Sequence, residues 1–259
     1  MEKKRLTTTV AAVALLGALA VGGTLAYLTD TETKTNNFTI AKDVDIDLTE
    51  TKWNPDVTPD PDDSSDAGTK NTVPNALIDK NPVVVNKGDE NIVTFVEVRS
   101  PKAMITTQKG GSPDKQELFF FGTGTQTKLT ANAFNVTDSD SNGKNWVLLD
   151  ADDTDDDYVV YLFGYNSVVA GSGSTESVFD YVYLKNYISS DSNPDAAKII
   201  VTAYAIQADN LYDTDNSSIS TTSLSDAATL KKIFATYKAD AVTTTSGGAS
   251  GSSADPATP

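Results

Sequence analysis

The sequence predicts a mainly β protein, an antiparallel β-sandwich with one short amphipathic helix near the C-terminus. Short segments rich in β-branched and aromatic residues recur along the chain. Turn-forming residues separate these segments, which is typical of antiparallel strands rather than of βαβ units. The 259 residues include no cysteine, so a secreted form has no disulfides and its stability has to come from an ordinary hydrophobic core.

The N-terminus has the three parts of a secretory signal peptide. Lys3, Lys4 and Arg5 precede an apolar run over residues 10–21, and small residues follow up to Ala26. We expect a signal peptide over residues 1–26, cleaved between Ala26 and Tyr27. The alternative is an uncleaved membrane anchor, which is less favoured because a spanning helix needs roughly 20 apolar residues. The prediction is therefore a secreted protein that meets a membrane only through an uncleaved leader.

The composition excludes several classes of function. The formal net charge is −16, from 36 acidic and 20 basic residues, so nucleic acid and anionic membranes are not expected partners. The chain has no histidine and no cysteine, which removes Ser-His-Asp and Cys-His chemistry and every His-ligated zinc site. Nothing in the sequence selects a pair of carboxylates, so we predict no catalytic residue.

The first predicted strand contains Val44, Ile46 and Leu48, which alternate with polar residues as in a strand buried on one face. An acidic stretch rich in Pro, Asp and Ser follows over residues 54–70 and predicts a solvated loop. The remaining strands are predicted within the domain at residues 83–85, 92–98, 117–121, 133–136, 146–149, 158–165, 178–187 and 198–207.

One helix closes the predicted domain, which extends from residue 27 to residue 240. Ser223 and Asp226 form a capping box, and four apolar residues then fall on one helical face: Leu230, Ile233, Phe234 and Tyr237. From residue 241 to residue 259 the chain is rich in Ser, Gly and Thr, and we predict a disordered tail.

The leader and the start of the mature chain have a distinctive sequence: residues 22–32 read GGTLAYLTDTE, and NFTI follows at residues 37–40. They resemble the corresponding segments of the TasA/camelysin family. Residues 78–86, IDKNPVVVN, are similar to the segment that precedes a strand in such proteins, and residues 199–208, IIVTAYAIQA, resemble the strand that precedes their helix. The chain departs from the family in its acidic loop over residues 54–70 and in its extended tail.

The resemblance implies a jelly-roll form of the β-sandwich and processing by a SipW-type signal peptidase. It also implies a secreted structural role, as a fibre subunit of a biofilm matrix or of the cell surface, with other matrix or surface proteins as partners. Camelysin has been assigned a metallopeptidase activity, so a secreted camelysin-like peptidase is the alternative function. A third reading is a monomeric surface module that binds glycan or protein.

Cleavage of the leader would release a terminus that is suited to strand addition. Tyr27, Leu28, Phe38 and Ile40 are apolar residues among Thr and Asn. Such a segment can pair with the sheet edge of a neighbouring subunit in a head-to-tail contact that propagates. We predict Tyr27 and Leu28 as the strand-donor interface. The alternative is pairing within the same domain, which we favour for residues 38–40.

Residues 138–143 resemble the first half of a calcium loop. Asp138, Asp140 and Asn142 supply oxygen at the expected spacing, but Leu149 stands where a bidentate Glu is required. Asp150, Asp152 and Asp153 are carboxylates that could complete an irregular site. Asn142 followed by glycine is also an ordinary hairpin turn, which we favour. The expected cofactor is therefore none, with Ca²⁺ as the weaker alternative.

Two further patterns have ordinary structural interpretations. The acidic run over residues 152–157 is expected to be a solvated loop rather than a cation site. Strand alternation places most tyrosines in the core or on a sheet face rather than on a glycan-binding surface: Tyr158, Tyr161, Tyr165, Tyr181, Tyr183 and Tyr187.

Overall fold

Antiparallel strands dominate the structure, as the sequence predicts. The computed structural model describes residues 44–56, 68, 70–136, 145–190, 197–212 and 217–245. Their strands are β1 (Ile46–Thr49), β2 (Leu77–Asp79), β3 (Val83–Asn86), β4 (Ile92–Thr106), β5 (Asp114–Glu117), β6 (Phe119–Gly122), β7 (Trp146–Asp152), β8 (Tyr158–Tyr165), β9 (Tyr181–Leu184), β10 (Ser189–Ser190), β11 (Ile200–Gln207) and β12 (Val242–Thr245). The mainly β class, an antiparallel sandwich with one short helix, is confirmed.

The largest sheet is built around β4. It has seven strands in the order β12-β11-β4-β8-β7, and β5 and β10 pair with the C-terminal part of β4. Val96 of β4 is opposite Ala203 on one side and Phe163 on the other. A second sheet has the order β2-β9-β6, and β1 pairs with β3 in a third. Within the described residues, β12 and β7 are therefore the two edges of the large sheet.

Alternation along β4 divides its apolar side chains between two cores. Val96 and Val98 are buried in the main core between the sheets, while Val93 and Phe95 face a smaller core beneath the helix. Trp146 of β7 is fully buried in the main core, and its indole Nε1 donates to the carbonyl of Glu176 at 2.9 Å. Each large apolar side chain buried in this way contributes about 1.5–3 kcal/mol.

The helix, α1 (Ala227–Tyr237), buries Leu230, Ile233 and Phe234 as predicted. Its N-cap differs from the predicted capping box with Ser223. The carboxylate of Asp226, as the N-cap residue, accepts from the backbone N–H groups of Ala228 and Thr229, while Ser223 belongs to a preceding 3-10 turn. Among the helices of the described residues, none is long and apolar enough to cross a membrane.

Several predicted element boundaries are wrong. Residues 133–136 contain only an isolated bridge at Val136, because the backbone N–H groups of Ala133 and Asn135 donate to two different partners, Phe121 and Val178. The strand predicted over residues 178–187 is shorter in the structure, where β9 covers only Tyr181–Leu184. The strand predicted over residues 92–98 is longer, because β4 continues through Pro101 to Thr106. β2 and β5 were not predicted.

The tail was predicted to begin at residue 241, but β12 occupies Val242–Thr245 and pairs with β11. The Thr-rich sequence of β12 has high strand propensity once a partner strand is available. The rest of the predicted tail, residues 246–259, lies outside the described residues. So does most of the predicted acidic loop, of which residues 54–56, 68 and 70 are described and form no strand or helix.

Candidate functional site

The β7 edge of the large sheet carries features that oppose pairing with another strand. Its register with β8 shifts between Leu148 and Asp150, which marks a β-bulge or similar irregularity. Asp150 and Asp152 are exposed, and the rest of the acidic run at residues 152–157 follows directly. Bulges and charges on edge strands are the usual means by which sheets avoid edge-to-edge association.

The β12 edge has none of those features. Its sequence is Val-Thr-Thr-Thr, without charge or proline, and its register with β11 is regular from Val242 to Thr245. Thr243 is exposed, whereas Thr244 is only 4% exposed and faces the main core. The Thr244 Oγ1 atom has no hydrogen-bond partner among the described residues. This edge combines high strand propensity with an uncharged and regular main chain, and at four residues it is short.

β1 lies next to β12 without extending the sheet. It contacts both β12 and β11, yet its ladder is with β3, from Ile46 opposite Asn86 to Thr49 opposite Val83. No backbone hydrogen bond joins β1 to β12 in the described part of the chain. The outer main chain of β12 is therefore unpaired there, and β1, the first described strand of the chain, lies beside it.

A cleft of about 490 Å³ opens near the end of β7. β4 contributes Lys102 to its wall, β5 contributes Lys115 and Glu117, and β8 contributes Tyr161. Lys185, which follows β9, also lines the cleft. The antiparallel pairing of β5 with β4, with Glu117 opposite Lys102, brings these side chains together.

Glu117 is the most enclosed acidic group of the cleft. Its carboxylate accepts from the Tyr161 hydroxyl at 3.1 and 3.2 Å, and from Asn132 Nδ2 at 3.4 Å. Burial raises the pKa of Glu117, although contacts with Ser100, Lys185 and Asn132 act in the opposite direction. The Ser100 hydroxyl is fully buried and near this carboxylate but has no aligned hydrogen bond within the described residues.

Tyr161 is held in its neutral, proton-donating form. Burial first, and then the negative charge of Glu117, raise the pKa of its phenol far above the ordinary value. Asn132 Nδ2 donates to the same phenol oxygen at 2.7 Å, which fixes the direction of the Tyr161 hydrogen bond toward Glu117. The arrangement positions the half-buried carboxyl group of Glu117 rather than an activated tyrosine nucleophile.

The three lysines of the cleft differ in how well they are paired. Lys102 Nζ donates to Asp153 Oδ1 at 2.7 Å and to two backbone carbonyl groups. Lys115 approaches Asp156 and Asp157 only at 3.9 Å. Lys185 Nζ lies 4.1 Å from the Phe120 ring centroid, and burial lowers its pKa. No carboxylate among the described residues lies within 4.0 Å of Lys185 Nζ.

Most of the predicted site residues lie outside the described residues. These are the cleavage residue Ala26, the strand-donor residues Tyr27 and Leu28, and the calcium candidates Asp138, Asp140 and Asn142. Asp150 is described, at the exposed end of β7, where its Oδ1 accepts from the N–H of Ala151 at 3.0 Å. In the part of the chain that is described, no three His, Cys, Asp or Glu side chains are grouped so as to hold a metal ion.

Four of the six tyrosines singled out in the sequence are buried: Tyr161, Tyr165, Tyr181 and Tyr183. The acidic run at residues 152–157 is largely exposed, as expected, but it also supplies partners to Arg99 and Lys102. Sequence reasoning missed the cleft, because Lys102, Glu117 and Lys185 are far apart in the chain. The only local signal is Glu117, the first residue of the strand predicted over residues 117–121, which lies next to the apolar run at Phe119–Gly122.

Comparisons of the chain with known protein families, with curated proteins and with solved structures give no match. Functional inference therefore depends on the geometry of this chain and on its sequence motifs. The two features that the geometry offers are the unpaired edge of β12 and the lysine-lined cleft.

Proposed function

We propose that the protein is a secreted structural protein, a TasA-like subunit of extracellular matrix or cell-surface fibres, and that its subunits assemble by β-strand addition. In this proposal the segment that begins at Tyr27 of one subunit pairs with β12 of the next. The observation that carries it is the neutral and regular edge of β12, which is unpaired within the described residues and contrasts with the acidic and irregular edge of β7.

The donor segment has the chemistry that such an edge accepts. Residues 27–40 read YLTDTETKTNNFTI, with two acidic residues and one basic residue, so the segment is close to neutral within a chain of net charge −16. Main-chain hydrogen bonds would supply the affinity, while Tyr27 and Leu28 would project to opposite faces of the extended sheet. Repulsion between subunits would then be lowest along the strand that joins them.

The proposed contact is heterologous, because the donor segment and β12 are different surfaces of the subunit. A heterologous contact that does not close into a ring produces an open filament. An extended segment over residues 27–43 reaches on the order of 50 Å at about 3.3 Å per residue, which is enough to meet a neighbour. The same reach permits pairing with β12 of its own subunit, and the experiment has to separate these two arrangements.

Deletion of the donor residues tests the proposal. We expect a mature protein lacking residues 27–32 to remain a folded monomer that forms no fibres in negative-stain microscopy, because the strands of the core are untouched. Deletion of residues 254–259, which removes the same number of residues from the other end, is the control and should leave assembly unchanged. Fibres formed as readily by the first truncation as by the full mature chain would contradict the proposal, and pairing within one subunit would then be favoured.

A further inference from the structure

Cationic side chains gather in the cleft beside β7 although the chain as a whole is acidic. Three of the nine residues that line the cleft are lysines, compared with 20 Lys and Arg among the 259 residues of the chain. They come from β4, from β5 and from the segment after β9, so it is the fold that brings them together. The same lining contains Glu117 and Asp153, so its formal charge is 3 − 2 = +1, which favours an anion there over the rest of a chain of net charge −16.

Two of these ammonium groups have unused capacity to donate hydrogen bonds. Lys102 is satisfied by Asp153 and by backbone carbonyl groups. Among the described residues, the ion pairs of Lys115 are both long, at 3.9 Å, with the exposed carboxylates of Asp156 and Asp157 in the acidic run at residues 152–157. Lys185 is half-buried and rests on the Phe120 ring; the charge of Glu117 acts on it, but no carboxylate of the described residues lies within 4.0 Å of its Nζ. An oxyanion between Lys115 and Lys185 would provide the charge-assisted hydrogen bonds that both groups lack.

Glu117 determines when an anion can enter. The groups that face it are Tyr161 from β8, Lys102 from β4, Lys115 from its own strand, Lys185 from the segment after β9, and Asp153 from the loop after β7. When Glu117 is ionised, its charge opposes an incoming carboxylate; when it is protonated, it becomes a hydrogen-bond donor. Because burial raises the pKa of Glu117 and a nearby anion would raise it further, anion binding and proton uptake on Glu117 should support each other.

We propose that this cleft binds a small hydroxylated carboxylate of the uronic acid class, with the ligand carboxylate on Lys115 and Lys185 and a proton taken up on Glu117. The volume of about 490 Å³ accommodates a sugar ring and far exceeds the size of a bare phosphate. Gln116 Nε2 donates to Asp114 Oδ2 at 3.3 Å, which leaves its second N–H and its amide oxygen for ligand hydroxyl groups, and Ala151 and Val159 line the cleft with apolar atoms. The site is independent of the proposed fibre assembly.

The probe is D-galacturonate, titrated into the full mature chain and followed by calorimetry at pH 5.0 and pH 7.5. Galactose, which lacks the carboxylate, and inorganic phosphate, which lacks the ring, are titrated in parallel. We expect galacturonate to bind more tightly at pH 5.0, where its own carboxylate is still ionised, and galactose and phosphate to bind at least about tenfold more weakly. Equal affinity for galactose or for phosphate would overturn the assignment, as would the absence of galacturonate binding at millimolar concentrations.

Variants locate the binding to the cleft. Lys185→Gln and Lys115→Gln should each weaken galacturonate binding about tenfold, since each removes a charge-assisted hydrogen bond. Lys109→Gln, the same change of charge at an exposed turn outside the cleft, is the matched control and should bind as the parent does. An equal loss in all three variants would show non-specific electrostatics and overturn the proposal. Lys115 is exposed, so its variant remains informative even if the Lys185 variant does not fold.

Glu117→Gln tests the proton uptake. Glutamine cannot ionise and can still accept from Tyr161, so we expect the variant to bind galacturonate equally at both pH values. A dependence on pH that persists unchanged in this variant would overturn the role assigned to Glu117, because another group would then be taking up the proton.

Discussion

β7 and β12 occupy equivalent positions, at the two edges of one large sheet, yet they differ in the features that control pairing with another chain. β7 has exposed aspartates and an irregular register with β8, and it leads into the acidic run at residues 152–157. β12 is four residues long, carries no charge and keeps a regular register with β11. The difference suggests that one edge is protected from association while the other is left available for it.

The surroundings of the two edges support the same distinction. α1 packs against β7 and β8, and the lysine-lined cleft lies at the end of β7, so that side of the sheet is already committed to contacts within the domain. On the side of β12 that faces away from β11, β1 is the neighbouring strand among the described residues, and no ladder joins the two. Changes at the two edges should therefore have very different consequences for assembly.

The largest expected effect comes from placing a charge on β12. Thr243 is exposed, so Thr243→Lys should leave the domain folded while a lysine on the edge blocks the approach of a donor strand. We expect fibres to disappear in negative-stain microscopy and the soluble fraction after centrifugation to approach the whole sample. Leu148→Lys, at an exposed position of β7, is the matched control and should assemble as the parent does. Loss of fibres in the control alone would reverse the roles of the two edges.

The next effect is a loss of stability in a variant whose β12 edge is unchanged, and it tests whether stability alone controls assembly. Lys80 and Glu50 form an ion pair at 2.6 Å with side chains only 6% and 7% exposed. Lys80→Met leaves Glu50 buried without its partner, and we expect a loss of about 3 kcal/mol in the free energy of unfolding, measured with urea. Because β12 is unchanged, the fraction of this variant that is folded should still form fibres. The double variant with Glu50→Leu, which removes both charges, should recover much of the stability; if it does not, the pair matters for reasons other than charge.

A smaller effect is expected when β7 is made more like β12. Asp150→Asn combined with Asp152→Asn removes two charges from the β7 edge but keeps the oxygen atoms that accept from Ala151 and Thr154. We expect a modest rise in lateral association, measured by light scattering, because the irregular register of β7 still opposes pairing. Association unchanged from the parent would show that the register irregularity alone protects this edge.

The smallest effect concerns the cleft beside β7. Burial raises the pKa of Glu117 above its ordinary value of 4.5, so the folded state is favoured by protonation and loses this contribution as the pH rises through the raised pKa. Glu117→Gln removes the titration. We therefore expect the stability of the variant relative to the parent to be greater at pH 7 than at pH 4, in parallel urea titrations. A relative stability that is equal at the two pH values would show that Glu117 titrates normally in the folded protein.

The mainly β class was predictable from the sequence, because alternation and turn residues report local burial. Val44, Ile46 and Leu48 show this at β1, and the apolar spacing of Leu230, Ile233 and Phe234 shows it for α1. β12 was missed because Thr residues followed by Ser and Gly look like a solvated tail when read alone. Only pairing with β11 makes a strand of them, and pairing between residues some 40 positions apart leaves no local pattern.

The candidate sites, too, were only partly predictable from the sequence. The β7 edge contains an acidic run that is visible in the sequence, although its role in pairing with Arg99 and Lys102 is not. The cleft depends on three lysines and Glu117 that come together from β4, β5 and the segment after β9, which no spacing rule would select. The strand-donor residues Tyr27 and Leu28 were named from sequence alone, and they stay a prediction.

The most direct test of the assembly mechanism is a disulfide between donor and acceptor. The chain has no cysteine, so single cysteines can be placed at will. Subunits with a cysteine at each of residues 27–32 in turn are mixed with subunits that carry Thr243→Cys, assembled, oxidised and analysed by mass spectrometry; Leu148→Cys replaces Thr243→Cys in the control. Strand addition at β12 predicts disulfide-linked heterodimers with position 243 at alternate donor positions and none with position 148. Heterodimers with position 148 instead, or fibres with no cross-link to position 243 from any donor position, would contradict it.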